Sequence, residues 1–563
     1  MVKRPALLKF RRLCNLSMGI SPSDSQASQI GLCSAHTLLL GQTNQFPPQE
    51  FAMTSKRNIL LITTDQMRFD ALGCNGGSVA RTPHIDRLAD TGINYLRAHN
   101  QNVVCMPARA TIMTGQHVAS HGVWMNGVSL PEDQPTIAHH LKEHGYRTAL
   151  LGKAHFEPWL GSPEQFFENR MAAAGHTGPH RGFDHMELAN HFFEGHSHFD
   201  LHMNQFPESK NAFYPMITDR GQNTASKGQT GAAQVWPMDI PLEHYHTQWV
   251  ADRTIAWLGQ QSDEPFFCWM SFPDPHHPWD IPQSELHRHD WREMPLPALY
   301  REKHEDRLRL LDQKPKHWRG YYEGSLWTNL ESPRDFVPAA LSADQVREIN
   351  AYTHIENELI DEAVGQVIDW LQNQGLDDQT DIFFTTDHGE LQGDFGLMFK
   401  GPYHIDALMR LPLIWRPAPS AGTPSAVVTR PVGHVDLAKT FCDIADIPVP
   451  HYCEGLPLPL SEQAAAQQSR NLVLTEWDSE HGPIDMHLKS LFHNDGWLIT
   501  VYEPSHLYDG TEGELYNINE DPDQIINRWD DPDHQSLKTA LIAELYDKLP
   551  SPRAPKLPRL APV

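Results

Sequence analysis

The 563-residue chain is short of cysteine, of long apolar runs and of basic stretches, and each shortage excludes a class of protein. Its seven cysteines (Cys14, Cys33, Cys74, Cys105, Cys268, Cys442 and Cys453) are odd in number and lack CxxC spacing. That argues against a disulfide scaffold or a zinc knuckle and suits a reducing compartment. No apolar run approaches the roughly 18 to 20 residues that cross a bilayer, so no integral membrane span is expected. Against 71 Asp and Glu stand 45 Lys and Arg, a formal net charge of -26. Neither nucleic acid nor an anionic membrane is an expected partner, because both need a basic face to release counterions. An anionic substrate would have to be drawn in by a local cluster of cations and metal.

The N-terminal MVKRPALLKFRRL is basic, but no h-region of about 7 to 15 apolar residues and no small-residue cleavage site follows it. The expectation is a cytoplasmic protein in which residues 1–52 are a disordered tail or an upstream translation artefact. The fold should begin at Met53, before TSKRNILLITTD.

What is present is the grammar of an α/β fold. Hydrophobic residues make up 40% of the chain and charged residues 21%, a globular composition. Short apolar runs end in polar residues: NILLITT at Asp65, TALLG at Lys153, FFCWMSF before His276, and DIFFTT at Asp387. Buried parallel strands that deliver groups to one edge of a sheet read this way. Ligands bind outside the carboxyl ends of such strands, which lets residues more than 300 positions apart meet. Helical patterns alternate with the strands: HIDRLADTG and TIAHHLKEHG, each stopping at a glycine, and a longer stretch over 342–371. The His-, Asn- and Gly-rich region 160–243 has little periodicity and reads as an insertion over the site, a loop that shapes the substrate pocket rather than a second metal centre. Past a helix near 433–447, a Pro-rich connector separates the catalytic domain (53–447) from a smaller domain (448–563). There NLVLTEW, HLKSLFH and GWLITVY predict an antiparallel sheet, followed by a helix over about 536–549 and a loose Pro-rich tail.

The sharpest local feature is Cys105-Met106-Pro107-Ala108-Arg109, continuing to Thr114-Gly115. Five fixed residue types at these spacings arise by chance in such a chain on the order of once in 10,000. The segment resembles the sulfatase signature CxPxRxxxxTG, in which the cysteine is oxidised to formylglycine. Further motifs stand in that family's order: TPHIDRLADTG, GKAHF at 152–156, PHHP at 275–278, DHGE at 387–390, Lys400 and ELYNINEDP. The resemblance spans most of residues 57–530. It implies the alkaline-phosphatase-like α/β fold, a mixed and mostly parallel sheet flanked by helices, with a smaller C-terminal α+β domain built on an antiparallel sheet.

The resemblance also implies chemistry: hydrolysis of a small-molecule sulfate ester, after a formylglycine-generating enzyme has acted on Cys105. Pro107 suits the first turn of a helix, so residue 105 would sit at the positive end of a helix dipole, where anions are favoured. An aldehyde there hydrates to a diol, one oxygen of which can bind a divalent cation and attack sulfur, while the other lets sulfate leave as the aldehyde re-forms. Asp65 and Asp387 offer hard oxygen ligands, with Gln66, His388 and residue 105 completing the shell. The commoner sulfatase pattern has DD and DN at these places. DQ and DH resemble the choline-sulfatase and phosphonate monoester hydrolase branches, and an imidazole shifts the preference from Ca2+ towards Mn2+ or another borderline ion, so the expected metal is Ca2+ or Mn2+, with Mg2+ as a further option. Arg109, Lys153 and Lys400 are the candidate cations around the ester oxygens. By resemblance, His276 and Lys400 protonate the leaving alkoxide, His155 assists the second hydroxyl, and Asn126 lies near the anion. The spacing HxP favours His276 over His277.

Three rival readings differ in class. A phosphonate monoester or phosphodiester hydrolase shares DQ, DHGE and the modified cysteine, but GKAHF resembles sulfatases. Thiol-based phosphatases place an arginine six residues past the cysteine, where Thr111 stands. An inactive binding scaffold would have lost polar positions that here are all filled. Homo-oligomerisation stays open, as does the alcohol portion of the substrate.

Overall fold

Every residue of Asn58–Thr64 (β1) is buried, yet alternate side chains enter different layers. Ile59 and Leu61 join one hydrophobic cluster, Leu60 and Ile62 another. A strand's period of two makes this the mark of a sheet covered on both faces. The computed structural model describes residues 56–159, 163–190, 196–219, 228–260, 262–327, 332, 336–481 and 484–562. The expectations for residues 1–52 and for the start at Met53 lie outside them.

Beside β1 run Ile93–Tyr95 (β2), Arg147–Gly152 (β3), His185–Leu188 (β4), Phe266–Ser271 (β5), Thr380–Thr386 (β6), Leu413–Arg416 (β7) and Ala426–Val428 (β8). Together they form one eight-stranded sheet in the order β8-β2-β7-β6-β1-β5-β3-β4. All neighbours are parallel except that β7 is antiparallel to β2 and β6. Helices Pro83–Thr91 (α1), His246–Leu258 (α4) and Ala343–Asn373 (α5) cover the Leu60 face. Helices Cys105–Thr114 (α2), Ile137–Glu143 (α3) and Leu437–Ala445 (α6) cover the Ile59 face. Each aliphatic side chain so enclosed stabilises the fold by about 2 kcal/mol.

The local signals explain the ends of these helices. Ser342 and Gln345 form a reciprocal capping box that starts α5. At the end of α1, Gly92 is not a left-handed cap, its φ being −126°. A side chain there would come within 2.5 Å of the Trp415 carbonyl oxygen, so close packing on β7 requires the glycine.

The insertion is more regular than its composition predicts. It supplies helix Phe167–Ala173, edge strand β4 and helices His198–Met203 and Pro207–Asp219. Of its histidine-rich run, His198 bonds the Leu188 amide and the His176 carbonyl at 2.9 and 3.0 Å, a structural use of the imidazole.

Four antiparallel strands, Leu472–His481 (β9), Ile484–His493 (β10), Trp497–Tyr502 (β11) and Gly513–Asn517 (β12), make the C-terminal sheet. One face packs into the Ile59-side core and the other on helix Gln535–Lys548 (α7) through Leu541 and Leu545. The sheet is tied to the main body where the Glu476 amide meets the Gln101 carbonyl at 2.9 Å. The tail expected to be loose is docked: Arg553 and Leu560 donate backbone bonds to Ala119 and Gly127, and the Trp124 indole donates to the Leu557 carbonyl. The tail's few amide-bearing residues between its prolines find carbonyl partners in segment 118–127, which returns one bond from the Trp124 indole.

Candidate active site

Parallel strands β1, β3, β5 and β6 end on the same edge, and each continues into a site residue. Thr64 lies opposite Thr386, and Gly152 opposite Ser271, so Asp65, Asp387 and Lys153 emerge side by side. Gly152 has φ +112°, and a side chain on it would strike the Ser271 carbonyl oxygen at 1.7 Å; glycine alone lets β3 hand over to Lys153 this close to β5.

Cys105 is the first residue of α2, wholly buried, after an extended Val104. Its sulfur lies 3.1 Å from His388 Nε2, 3.4 Å from Lys400 Nζ and 3.7 Å from Asp65 Oδ1. Met106, next in the helix, donates its amide to Asn126 Oδ1 at 3.0 Å, so Asn126 satisfies one of the helix's first amides.

Asp65, Cys105, Asp387 and His388 each offer a ligand atom within 4.8 Å of the others, and all four are buried. His388 Nδ1 donates to the Gly389 carbonyl at 2.9 Å, which fixes the tautomer and turns the Nε2 lone pair to the cluster, 3.6 Å from Asp65 and 3.7 Å from Asp387. Burial keeps this imidazole's pKa below its ordinary value, hence neutral. Asp387 Oδ1 accepts the Gln66 and His388 amides at 3.1 and 2.9 Å. The first of these bonds depends on the positive φ (+68°) of Gln66.

Arg109 binds the two acids from behind. Its Nε meets Asp387 Oδ2 at 2.8 Å, its Nη2 meets Asp65 Oδ2 at 3.4 Å, and its Nη1 donates to the Lys153 carbonyl and Ser271 Oγ at 2.7 and 2.9 Å. Lys153 makes an ion pair with Asp65. Burial pushes the Asp65 carboxyl up, but the charges beside it, Lys153 first and Arg109 with it, outweigh burial and hold it well below the usual carboxylate range.

Lys400 joins the two halves of the site. It donates to Gln66 Oε1 and His276 Nε2, both at 2.7 Å. His276 Nδ1 donates to the His277 carbonyl at 2.5 Å, so its Nε2 accepts. Burial and the Lys400 ammonium hold the His276 pKa well below its ordinary value. His277 faces Gln66 Nε2 at 3.3 Å and packs on Phe399, whereas His276 is the imidazole that accepts from Lys400. His155 is buried two residues past Lys153, at φ +57°, edge-on to Trp159.

Asp65, Gln66, Cys105, Arg109, Lys153, His276, Asp387, His388 and Lys400 are thus linked by direct contacts, Asn126 joins through the Met106 amide, and some differ from their expected posture. Gln66 gives its side-chain oxygen to Lys400, and its Nε2 donates to Glu390. Arg109 faces carboxylates and backbone rather than open space. Sequence reasoning passed over Ser271 and Glu390. The DHGE motif contained Glu390, whose carboxyl burial raises to about 7; Ser271 carried no signal beyond ending a strand.

Residues 57–447 match the sulfatase family model, and residues 393–550 match the C-terminal region model of N-sulphoglucosamine sulphohydrolase. The chain belongs to the sulfatase family. This sulfatase is 27% identical to an arylsulfatase of Clostridium perfringens over 87% of its own length and 94% of the relative's. It is 26% identical to the uncharacterized sulfatase YidJ of Escherichia coli over 88% of each chain. The solved phosphonate monoester hydrolase of Silicibacter pomeroyi shares the fold, with a TM-score of 0.70 at 23% identity over 87% of this chain and 95% of that one. The sulfatase is therefore a sulfuric ester hydrolase with an alkaline-phosphatase-superfamily fold. Among its described residues no helix is long and apolar enough to cross a membrane.

Proposed function

We propose that this sulfatase cleaves small-molecule sulfate esters with formylglycine at position 105 as nucleophile and one divalent cation held by Asp65, Asp387 and His388. The observation that carries the reading is the convergence of Cys105, two buried carboxylates and the oriented Nε2 of His388. The donor set fits a cation: two hard oxygens, one borderline nitrogen and no competing thiolate once Cys105 is oxidised, a set that suits Mn2+ better than Ca2+ or Mg2+. Gln66 adjoins this set through its backbone amide on Asp387 Oδ1. When present, the formylglycine supplies a hydrated aldehyde as nucleophile and the cation supplies Lewis-acid polarisation.

The protein's own groups supply the rest. Arg109 is a positioning residue, since its guanidinium fixes the spacing of Asp65 and Asp387. Lys153 and Lys400 concentrate positive charge where an anionic ester must lie, against the protein's overall charge of -26. Lys400 and His276 share a proton along a 2.7 Å contact, a reservoir for the departing alkoxide. His155 is the candidate for moving a proton as sulfate is released. Asn126 orders the start of α2 beside the anion. A formylglycine-generating enzyme is the partner that maturation would need.

Gln66 and His388 also resemble the phosphonate hydrolase branch, so parallel assays on an aryl sulfate and a phenyl phosphonate ester test the substrate class. The expected result is a higher kcat/KM for the sulfate. A much higher value for the phosphonate would overturn the substrate class while leaving the nucleophile in place.

A further inference from the structure

Glu390 and Lys400 stand at the two ends of one loop, and the side chain of Gln66 bridges theirs. The loop leaves β6 through Asp387 and His388 and passes segment 407–408 at Gly389, where a side chain would strike the Ala407 carbonyl oxygen at 1.9 Å. Backbone bonds close it: Leu391 donates to Phe399 at 3.0 Å and Gly393 to Leu397 at 2.8 Å. Arg68, from the segment after β1, donates to the Glu390 carbonyl at 3.1 Å and to Asp394 Oδ2 at 2.8 Å. Residues 390 and 400 are thus placed by bonds that do not involve the Gln66 side chain.

Glu390 is 3% exposed, and each of its carboxyl oxygens accepts a bond, Oε1 from the Gln392 amide at 3.0 Å and Oε2 from Gln66 Nε2. At the other end of the Gln66 amide, Oε1 accepts from Lys400 Nζ at 2.7 Å. That ammonium also meets His276 Nε2 at 2.7 Å and the sulfur of Cys105 at 3.4 Å. A primary amide has one accepting end and one donating end, whereas an ammonium only donates and a carboxylate only accepts. Turned over, Gln66 would set its NH2 against Lys400 and its oxygen against Glu390, donor facing donor and acceptor facing acceptor. The two charged groups together admit one orientation of the amide.

We infer that Glu390 is a positioning residue for Lys400: through Gln66 it fixes the oxygen that holds the ammonium on His276 and beside residue 105. Lysine is a flexible stem with three rotatable donors, so an acceptor of fixed place narrows where its charge and its proton can be. The arrangement also gives the Gln66 oxygen a use other than metal ligation. The inference rests on the proposed function for the step affected, proton delivery to the departing alkoxide; the chain Glu390–Gln66–Lys400 itself is a matter of geometry.

The test is a double-mutant cycle on the full, matured chain, with rates expressed per formylglycine measured by peptide mass spectrometry. Glu390→Gln leaves one accepting oxygen where two are used. Its kcat for an alkyl sulfate should fall about 100-fold, the size of a misplacement of about 1 Å, with KM changed by less than about twofold. In a Lys400→Met background the same substitution should cost no more than about twofold further, because the group it positions is gone. Losses that multiply in the double variant would overturn the inference, since Glu390 would then act on the fold or the metal centre; so would a single variant with the wild-type rate. Failure of the underlying reading looks different: Lys400→Met would slow an alkyl and a nitrophenyl sulfate equally, while the loss from Glu390→Gln would still vanish without Lys400. Should Glu390→Gln fold poorly, Glu390→Asp, which keeps the carboxylate but shortens its reach to Gln66, goes through the same cycle with the same expectation.

Discussion

His388 presents its Nε2 to the sulfur of Cys105 at 3.1 Å because its other nitrogen is committed to the Gly389 carbonyl at 2.9 Å. A single backbone bond thereby chooses the tautomer of a side chain at the centre of the site.

Replacing His388 by alanine removes that nitrogen and leaves Asp65 and Asp387 in place. Mn2+ affinity of chelator-stripped protein, read by calorimetry, should fall by about 100-fold. An unchanged affinity would show that the two acids alone define the centre.

The Lys400–His276 pair makes its own prediction. If it delivers the proton to the alkoxide, Lys400→Met and His276→Asn should slow a poor leaving group more than a good one. For an alkyl sulfate kcat should drop about 1,000-fold, and for a nitrophenyl sulfate much less. Equal losses on both substrates would reassign the pair to binding.

Arg109→Lys keeps the charge but not the fork that spans Asp65 and Asp387. One acid then loses its partner in a site without water access, at a cost of about 3–5 kcal/mol. The variant should melt many degrees lower, and excess Mn2+ should restore part of the loss by holding the same two acids.

Acid stability should depend on buried neutral histidines. His99, His121, His317 and His404 have pKa values lowered to about 3, in each case chiefly by burial. Unfolded, each would bind a proton near its ordinary value of about 6.5. Between those limits the unfolded chain holds more protons, so stability falls as pH falls, by about 1.4 kcal/mol per pH unit for each histidine fully titrated in the unfolded state. His317 accepts from the Tyr508 hydroxyl at 2.6 Å and donates to the Pro402 carbonyl at 2.9 Å. His317→Gln should lower stability at pH 7 yet flatten its slope between about pH 5 and 3.5, as urea unfolding at a series of pH values would reveal.

What the sequence made legible follows from the physics of strand ends. NILLITT-Asp65 and DIFFTT-Asp387 announce themselves because a fully buried strand must be apolar until it surfaces, and whatever polar residue comes next stands at the sheet edge. Cys105 announces itself by fixed spacing. Edge strand β4, with the sequence HMEL, has no such contrast, since it is short and carries His185 and Glu187 towards its rim, where they pair with each other at 2.7 Å. The docking of the tail was equally hidden, because the backbone amides of Arg553 and Leu560 that make it carry no side-chain signature.

All of the proposed chemistry requires that residue 105 is no longer a cysteine in the working enzyme. Peptide mass spectrometry across Val104–Arg109 of active protein tests this most directly. The account predicts a species that has lost sulfur and two hydrogens and gained one oxygen, in an amount that tracks specific activity across preparations. Full activity in protein whose Cys105 is entirely unmodified thiol would contradict it.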